Sequence, residues 1–160
     1  MTADRYPRRI VCLTEETTET LYLLGEGDRV VGVSGYTVRP PEARRKPRVS
    51  AFTHARYEKI EALAPDLVLA FSDLQSDIAA DLGKRGYTVM LFNQRSVAEI
   101  MQMILIVGGL VGRTDRAGAL VAELEAGLDD PILAQLGVAQ FGKDRSAARD
   151  LHELLHPADA

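Results

Sequence analysis

The stretch His152-Glu153-Leu154-Leu155-His156 has the spacing of a zinc hydrolase. Two histidines one helical turn apart can share a metal, and the glutamate between them can activate the metal-bound water. A catalytic zinc takes three protein ligands. The only other histidine, His54, lies far away in sequence, and Asp159 is the only ligand type after His156. Pro157 ends the helix just behind the motif. Leu151, Leu154 and Leu155 form an apolar stripe flanked by the histidines, which is the pattern of an ordinary amphipathic helix. No metal site is assigned, and a zinc hydrolase built on His152, Glu153 and His156 ranks third among the functions considered.

Other reactive side chains have equally plain explanations. Glu15, Glu16 and Glu19 crowd a turn that opens a helix. Carboxylates there can act as acids or bases, but they also complement the positive end of the helix dipole. Cys12 is the only cysteine, so no internal disulfide can form, and its apolar run predicts a buried, inert thiol. "GEGDRVVG" follows a helix and opens a strand, the reverse of a dinucleotide fingerprint, so Gly25 and Gly27 read as turn residues. "GGLVG" (residues 108–112) falls late in a helix, where small residues permit close packing. Neither a phosphate-binding G-x-x-x-x-G-K-[ST] loop nor a G-x-S-x-G elbow occurs.

The elements that would position these residues alternate. Short β-branched runs at residues 9–13, 29–34, 66–71 and 87–92 predict strands. Helices are expected at residues 17–25 (N-capped by Thr17 or Thr18, stopped by Gly25), 55–64, 76–86, 96–113 and 115–128. Ser96 with Glu99 three residues on is a capping box. Residues 35–50 hold Pro40, Pro41 and Pro47 and read as a loop. The alternation implies an α/β fold with a mostly parallel sheet flanked by helices. Ligands bind such sheets at the carboxyl ends of the strands. Tyr36, Phe52, His54 and Phe71 fall in or beside those loops, each either anchoring its own loop or contacting a ligand.

Bulk properties narrow the partners. A net charge of −4 argues against nucleic acid, and Arg44, Arg45, Lys46 and Arg48 read as a solvated loop. No apolar run approaches the ~18 residues of a membrane span. The first residues carry positive charge but no apolar core of a signal peptide, so the chain as written is expected in the cytoplasm.

The order of the blocks resembles a known family. "RIVCLTEETTETLYLLGEGDRVVGVSGYTVRPPEARRKPRVS" is similar to the N-terminal lobe of the substrate-binding proteins of vitamin B12 and iron-siderophore ABC transporters. "YEKIEALAPDLVLAF", "LGKRGYTVMLFN" and "SVAEIMQMILIVGGLVGRTDRAGALVAELEAGL" match the blocks that follow in that family. The resemblance covers about residues 9–128 and is not specific for the ligand.

It implies a binding module, not an enzyme, that grips a small ligand between two α/β lobes joined by a rigid helix and delivers it to a membrane permease. It implies ligand contact at Tyr36, Phe52 and Phe71 and permease docking at Glu58; His54, a candidate from its place in the loops alone, joins the ligand-binding set. No cofactor is implied; the ligand is a corrinoid such as cobalamin, or a ferric siderophore, with the corrinoid favoured by the Tyr36 block and the tail. The expected organisation is a single N-terminal lobe over residues 1–128, including the start of the interlobe helix. Residues 129–160 would be a linker and a short C-terminal helix left from a largely deleted second lobe. "LHELLHP" resembles the terminal helix of some B12-type relatives. With one wall of the clamp in hand, a homodimer could supply the other. The rival reading is a remnant without a transport role that binds a protein partner through the open cleft face.

Overall fold

The computed structural model describes residues 5–128, so the tail motif His152–His156, the leucine stripe and the expected linker lie outside the described residues. Six strands form one sheet: β1 (Ile10–Cys12), β2 (Val30–Ser34), β3 (Arg48–Ala51), β4 (His54–Ala55), β5 (Leu67–Phe71) and β6 (Val89–Phe92). Their spatial order is β4-β3-β2-β1-β5-β6, parallel throughout except for the antiparallel β3–β4 pair. The helices are α1 (Glu15–Leu23), α2 (Tyr57–Ala62), α3 (Ser76–Lys84), α4 (Val97–Val111) and α5 (Thr114–Leu128). This is the expected α/β architecture.

Strand periodicity sorts the core into two faces. Successive side chains of a strand point to opposite sides. Ile10 and Cys12 of β1 pack with Leu67, Leu69 and Phe71 of β5 on one face, under Leu21 of α1, Ile104 of α4 and Leu120 of α5. Val11 and Leu13 pack with Val68 and Ala70 on the other, over Ile60 of α2 and Leu82 of α3. Both faces are covered, so the central strands are apolar throughout rather than alternating. The chain moves outward from β1 to β2 and β3, then returns to place β5 on the other side of β1. The carboxyl ends of β1 and β5 therefore lie at a topological switch point, where the loops diverge and leave a crevice.

Several local expectations are corrected. Residues 35–50 are not all loop: Pro41–Arg45 forms a 3-10 turn and β3 begins at Arg48, immediately after Pro47. Proline at the strand's threshold leaves the following donors free, and Val49 is fully buried. Helix α1 begins three residues earlier than the Thr17/Thr18 expectation, with Thr14 as its extended N-cap. Thr17 and Thr18 instead lie inside the first turn, and the Thr18 hydroxyl donates back to the Thr14 carbonyl at 3.0 Å. Strand β6 starts at Val89 because the turn ending α3 consumes Tyr87, whose N–H donates to the Leu82 carbonyl at 3.1 Å. Gly25 closes α1 as expected: at φ +79° it lets Glu26 N–H reach the Leu21 carbonyl at 2.8 Å.

Candidate ligand-binding site

The carboxyl ends of the strands form a rim. Each loop on it has a local cause. After β2, the Ser34 hydroxyl accepts from Tyr36 N–H at 3.3 Å, and Gly35 N–H donates to the Ser50 carbonyl at 2.6 Å. A Cβ at Gly35 would sit 3.0 Å from that carbonyl, so glycine permits the close approach. The turn leaves the Tyr36 ring 61% exposed. After β5, Ser72 adopts φ +65°, which is uncommon for a residue with a side chain. Its N–H donates to the Phe92 carbonyl at 2.6 Å, and its hydroxyl accepts from Leu74 N–H at 3.2 Å. Leu74 is thereby held 62% exposed at the tip.

One buried side chain ties three of these loops together. Gln75 is fully buried. Its amide nitrogen donates to the Leu13 carbonyl at 3.2 Å and the Phe52 carbonyl at 2.8 Å, and its oxygen accepts from Phe71 N–H at 3.0 Å. The ends of β1, β3 and β5 thus meet on one amide. A primary amide is well suited to this because it carries both donors and acceptors in one plane.

The sequence-derived site residues are distributed unevenly over the rim. Tyr36 is open, Phe52 is half-buried against the core, and His54 is exposed on β4 with its ring Nδ1 3.0 Å from the Thr53 hydroxyl. Phe71 is the most covered of the four. It is only 8% exposed, and the Arg95 guanidinium lies 5.9 Å above its ring. Arg95 is held there by Asp73 at 2.6 Å and by Asn93 at 2.7 Å. Glu58 is exposed in the first turn of α2, while its neighbour Glu61 pairs with Arg85 at 2.5 Å. Sequence reasoning missed Gln75, Leu74 and Arg95. All three sit in loops that follow strands, but nothing in their residue types separates them from solvated neighbours.

The carboxylates at the start of α1 are more than dipole partners. Only Glu15 and Glu16 belong to the first turn, yet burial raises the pKa of both. Glu19 is raised furthest, to about 7, chiefly by burial; Arg39 pulls it down, while Glu15 and Glu16 push it up. Glu19 lines an open hollow of about 400 Å³ together with Tyr22, Leu23, Pro40 and Glu42. Cys12 behaves as expected: it is fully buried, and burial pushes its thiol up to about 11. Among the described residues no cluster of three or more His, Cys, Asp or Glu side chains could hold a metal, and no helix is long and apolar enough to cross a membrane.

Comparison with known proteins gives the fold a lineage. Residues 10–130 match the family described as periplasmic binding protein. The chain belongs to this family. It is 34% identical over 134 residues to an uncharacterised ABC transporter substrate-binding lipoprotein, YvrC, of Bacillus subtilis, covering 81% of this chain and 42% of that one. A cobalamin-binding protein of Halobacterium salinarum is 32% identical over 127 residues, covering 78% and 34%. The crystal structure of the periplasmic vitamin B12 binding protein BtuF of Vibrio cholerae superposes with a TM-score of 0.71 at 28% identity, covering 78% and 49%. The chain therefore spans less than half the length of these family members. The resemblance drawn from the sequence blocks holds.

Proposed function

We infer that this chain is the N-terminal ligand-binding lobe of an ABC-transporter substrate-binding protein and that its ligand is a corrinoid. It acts as a binder, not a catalyst. The observation that carries this reading is the rim itself. Tyr36 and Leu74 stand exposed, with half-buried Phe52 in the β3–β4 turn, and one buried amide at the switch point ties the ends of β1, β3 and β5 together. A flat macrocycle needs a broad apolar surface that is already in place, because ordering such a surface on binding would consume affinity. His54 is the candidate for a polar or cobalt-directed contact at the edge of that surface. Phe71 supports the wall from beneath Arg95 instead of forming it. The similarity to proteins named for cobalamin and vitamin B12 supports the ligand class.

Two further parts of the reading follow. Glu58, exposed on α2, is the point at which a permease would dock. Residues 1–128 are the lobe, and residues 129–160 form the segment beyond it. For the chain as it stands, one wall binds more weakly than two. If a two-walled clamp gives nanomolar affinity, ~12 kcal/mol, one wall supplies about 6 kcal/mol, a Kd of roughly tens of micromolar. A second copy facing the rim would restore the second wall.

The test is a titration with cyanocobalamin, read by calorimetry beside sedimentation. The expected result is a Kd of roughly 10–100 μM for the monomer, weakened at least several-fold by Tyr36→Ala, or tighter binding by a dimer. A stable wild-type monomer that binds no corrinoid at millimolar concentration refutes the reading.

A further inference from the structure

Arg95 stands in the loop between β6 and α4, and its neighbours hold its guanidinium in one place. The guanidinium carbon lies over the Phe71 ring, 5.9 Å from the ring centre, where the negative face of the aromatic attracts a cation. Nη2 donates to Asp73 Oδ1 at 2.6 Å, from the segment after β5, and to Asn93 Oδ1 at 2.7 Å, from the segment after β6. The Arg95 backbone N–H donates to the Glu99 carboxylate at 2.5 Å, which fixes the turn into α4. The place is on the rim: Phe71 is the last residue of β5, and Asp73 adjoins Leu74, the exposed apolar tip.

These contacts leave most of the guanidinium unspent. It carries five N–H donors in a fixed plane. Both side-chain hydrogen bonds fall on Nη2, and no acceptor among the described residues meets Nε or Nη1. The side chain is 53% exposed, so the remaining donors face the space above the rim and not the protein interior. The partner Asp73 is 74% exposed, and an ion pair so open to water adds little to stability. Holding the two loops together therefore does not account for Arg95.

The acceptor that fits follows from the charges at this corner. Asp73 already balances the charge of Arg95, and Glu99 adds a second carboxylate beside it. One positive group stands against two negative ones, so an incoming carboxylate or phosphate is repelled. A cation is drawn to the carboxylates, but it cannot accept from the unspent N–H groups and it meets the Arg95 charge. A neutral carbonyl oxygen takes those donors without adding charge, and a hydrogen bond from a charged donor is stronger than one from a neutral donor. We propose that Arg95 is a ligand-contacting residue that donates to neutral carbonyl oxygens at the periphery of a ligand lying on the rim. Because Asp73, Asn93 and Phe71 already hold the guanidinium, little side-chain freedom is lost when the contact forms. Corrinoids carry carboxamide arms around the ring, which supply such oxygens. The assignment rests on the corrinoid reading.

The experiment titrates the isotopically labelled wild-type chain with cyanocobalamin while the Arg95 Nε–H resonance is followed. That resonance should move in step with binding; one that stays in place while the ligand binds overturns the proposal, and this arm needs no variant. Arg95→Met keeps an apolar cover on Phe71 and removes the donors. Arg95→Lys keeps the charge and loses the planar fork. Both should bind cyanocobalamin roughly tenfold more weakly than wild type, the loss expected for a hydrogen bond to a charged group, with urea midpoints within about 0.3 M of wild type. Wild-type affinity in Arg95→Lys means that charge alone is sensed and overturns the proposal. Dicyanocobinamide keeps the carboxamide arms and lacks the phosphodiester of cyanocobalamin, so the same tenfold loss should appear with it. A loss confined to cyanocobalamin assigns Arg95 to the phosphate and overturns the neutral acceptor. A wild-type chain that binds neither corrinoid overturns the corrinoid reading and this assignment with it, whereas corrinoid binding that neither variant weakens overturns this assignment alone.

Discussion

Replacing Gln75 with methionine tests whether one buried amide holds the rim. Methionine has nearly the same length and no hydrogen-bonding amide, so the cavity stays filled while three bonds disappear. Two of the abandoned groups, the Phe71 N–H and the Leu13 carbonyl, are buried; the Phe52 carbonyl is half-buried and can find water. An unsatisfied buried group costs about 1–3 kcal/mol, so the two buried ones together predict a loss of roughly 2–6 kcal/mol. Urea unfolding reads this directly. With a slope near 2 kcal/mol per molar, a loss of about 3 kcal/mol lowers the midpoint by roughly 1.5 M without changing the slope.

Gln75→Glu sharpens the test. A carboxylate still accepts from Phe71 N–H but faces two carbonyl oxygens with no proton to offer. Its folded-state pKa should therefore rise above the unfolded value near 4.3. Stability should then be closest to wild type below that pH and fall as pH rises through the folded pKa. A Gln75→Met midpoint within about 0.3 M of wild type, with an unchanged slope, would mean that the loops hold themselves and the amide is incidental.

Two other substitutions probe separate parts of the lobe. Glu19 has a folded-state pKa raised to about 7 from 4.5, so its ionisation costs stability that is absent below pH 4.5 and develops as pH rises through 7. Glu19→Gln should leave unfolding near pH 4 unchanged and stabilise the protein at pH 8 by up to ~3 kcal/mol; parallel pH profiles for the two proteins would refute it. Gly108→Ala should destabilise by about 1–3 kcal/mol, because the new Cβ would lie 2.3 Å from the Ala117 Cβ of α5. Gly109→Ala is the control, since nothing lies within 4 Å of its Cβ position, and equal thermal shifts for the two would refute the packing argument.

The architecture was legible where local chemistry and tertiary contact agree. Ile10, Val11, Cys12 and Leu13 are apolar at every position, and the sheet buries both faces there. Ser96 caps α4 as its spacing with Glu99 predicts, the hydroxyl accepting from Glu99 N–H at 3.3 Å; the returning carboxylate takes Arg95 N–H one residue upstream. Strand β3 was not legible, because in Arg48–Ala51 only Val49 carries a strong apolar signal and pairing with β2 supplies the rest. The rim was legible as a place but not residue by residue. Tyr36 and Phe71 are both aromatics in strand-end segments, yet one is open and the other covered. The difference is that Phe71 ends β5 on its core face, packed with Leu67 and Leu69, with Arg95 of the β6–α4 loop over its ring, whereas Tyr36 lies beyond the end of β2. Gln75 was hidden for the same reason: a glutamine in a polar turn looks solvated until three separate strand ends converge on it.

The short β3–β4 hairpin bears on how the protein behaves when concentrated. A parallel sheet that ended at β3 would expose a row of unpaired backbone groups, a template on which strands from other molecules can add. Here the chain doubles back and covers that row with two residues, His54 and Ala55, in the opposite direction. The new outer edge is too short to nucleate a ladder. At the other end of the sheet β6 has four residues, with Leu91 38% exposed. Self-association of partly unfolded molecules should therefore begin at β6, and a lysine in place of Leu91 would be the natural gatekeeper against it.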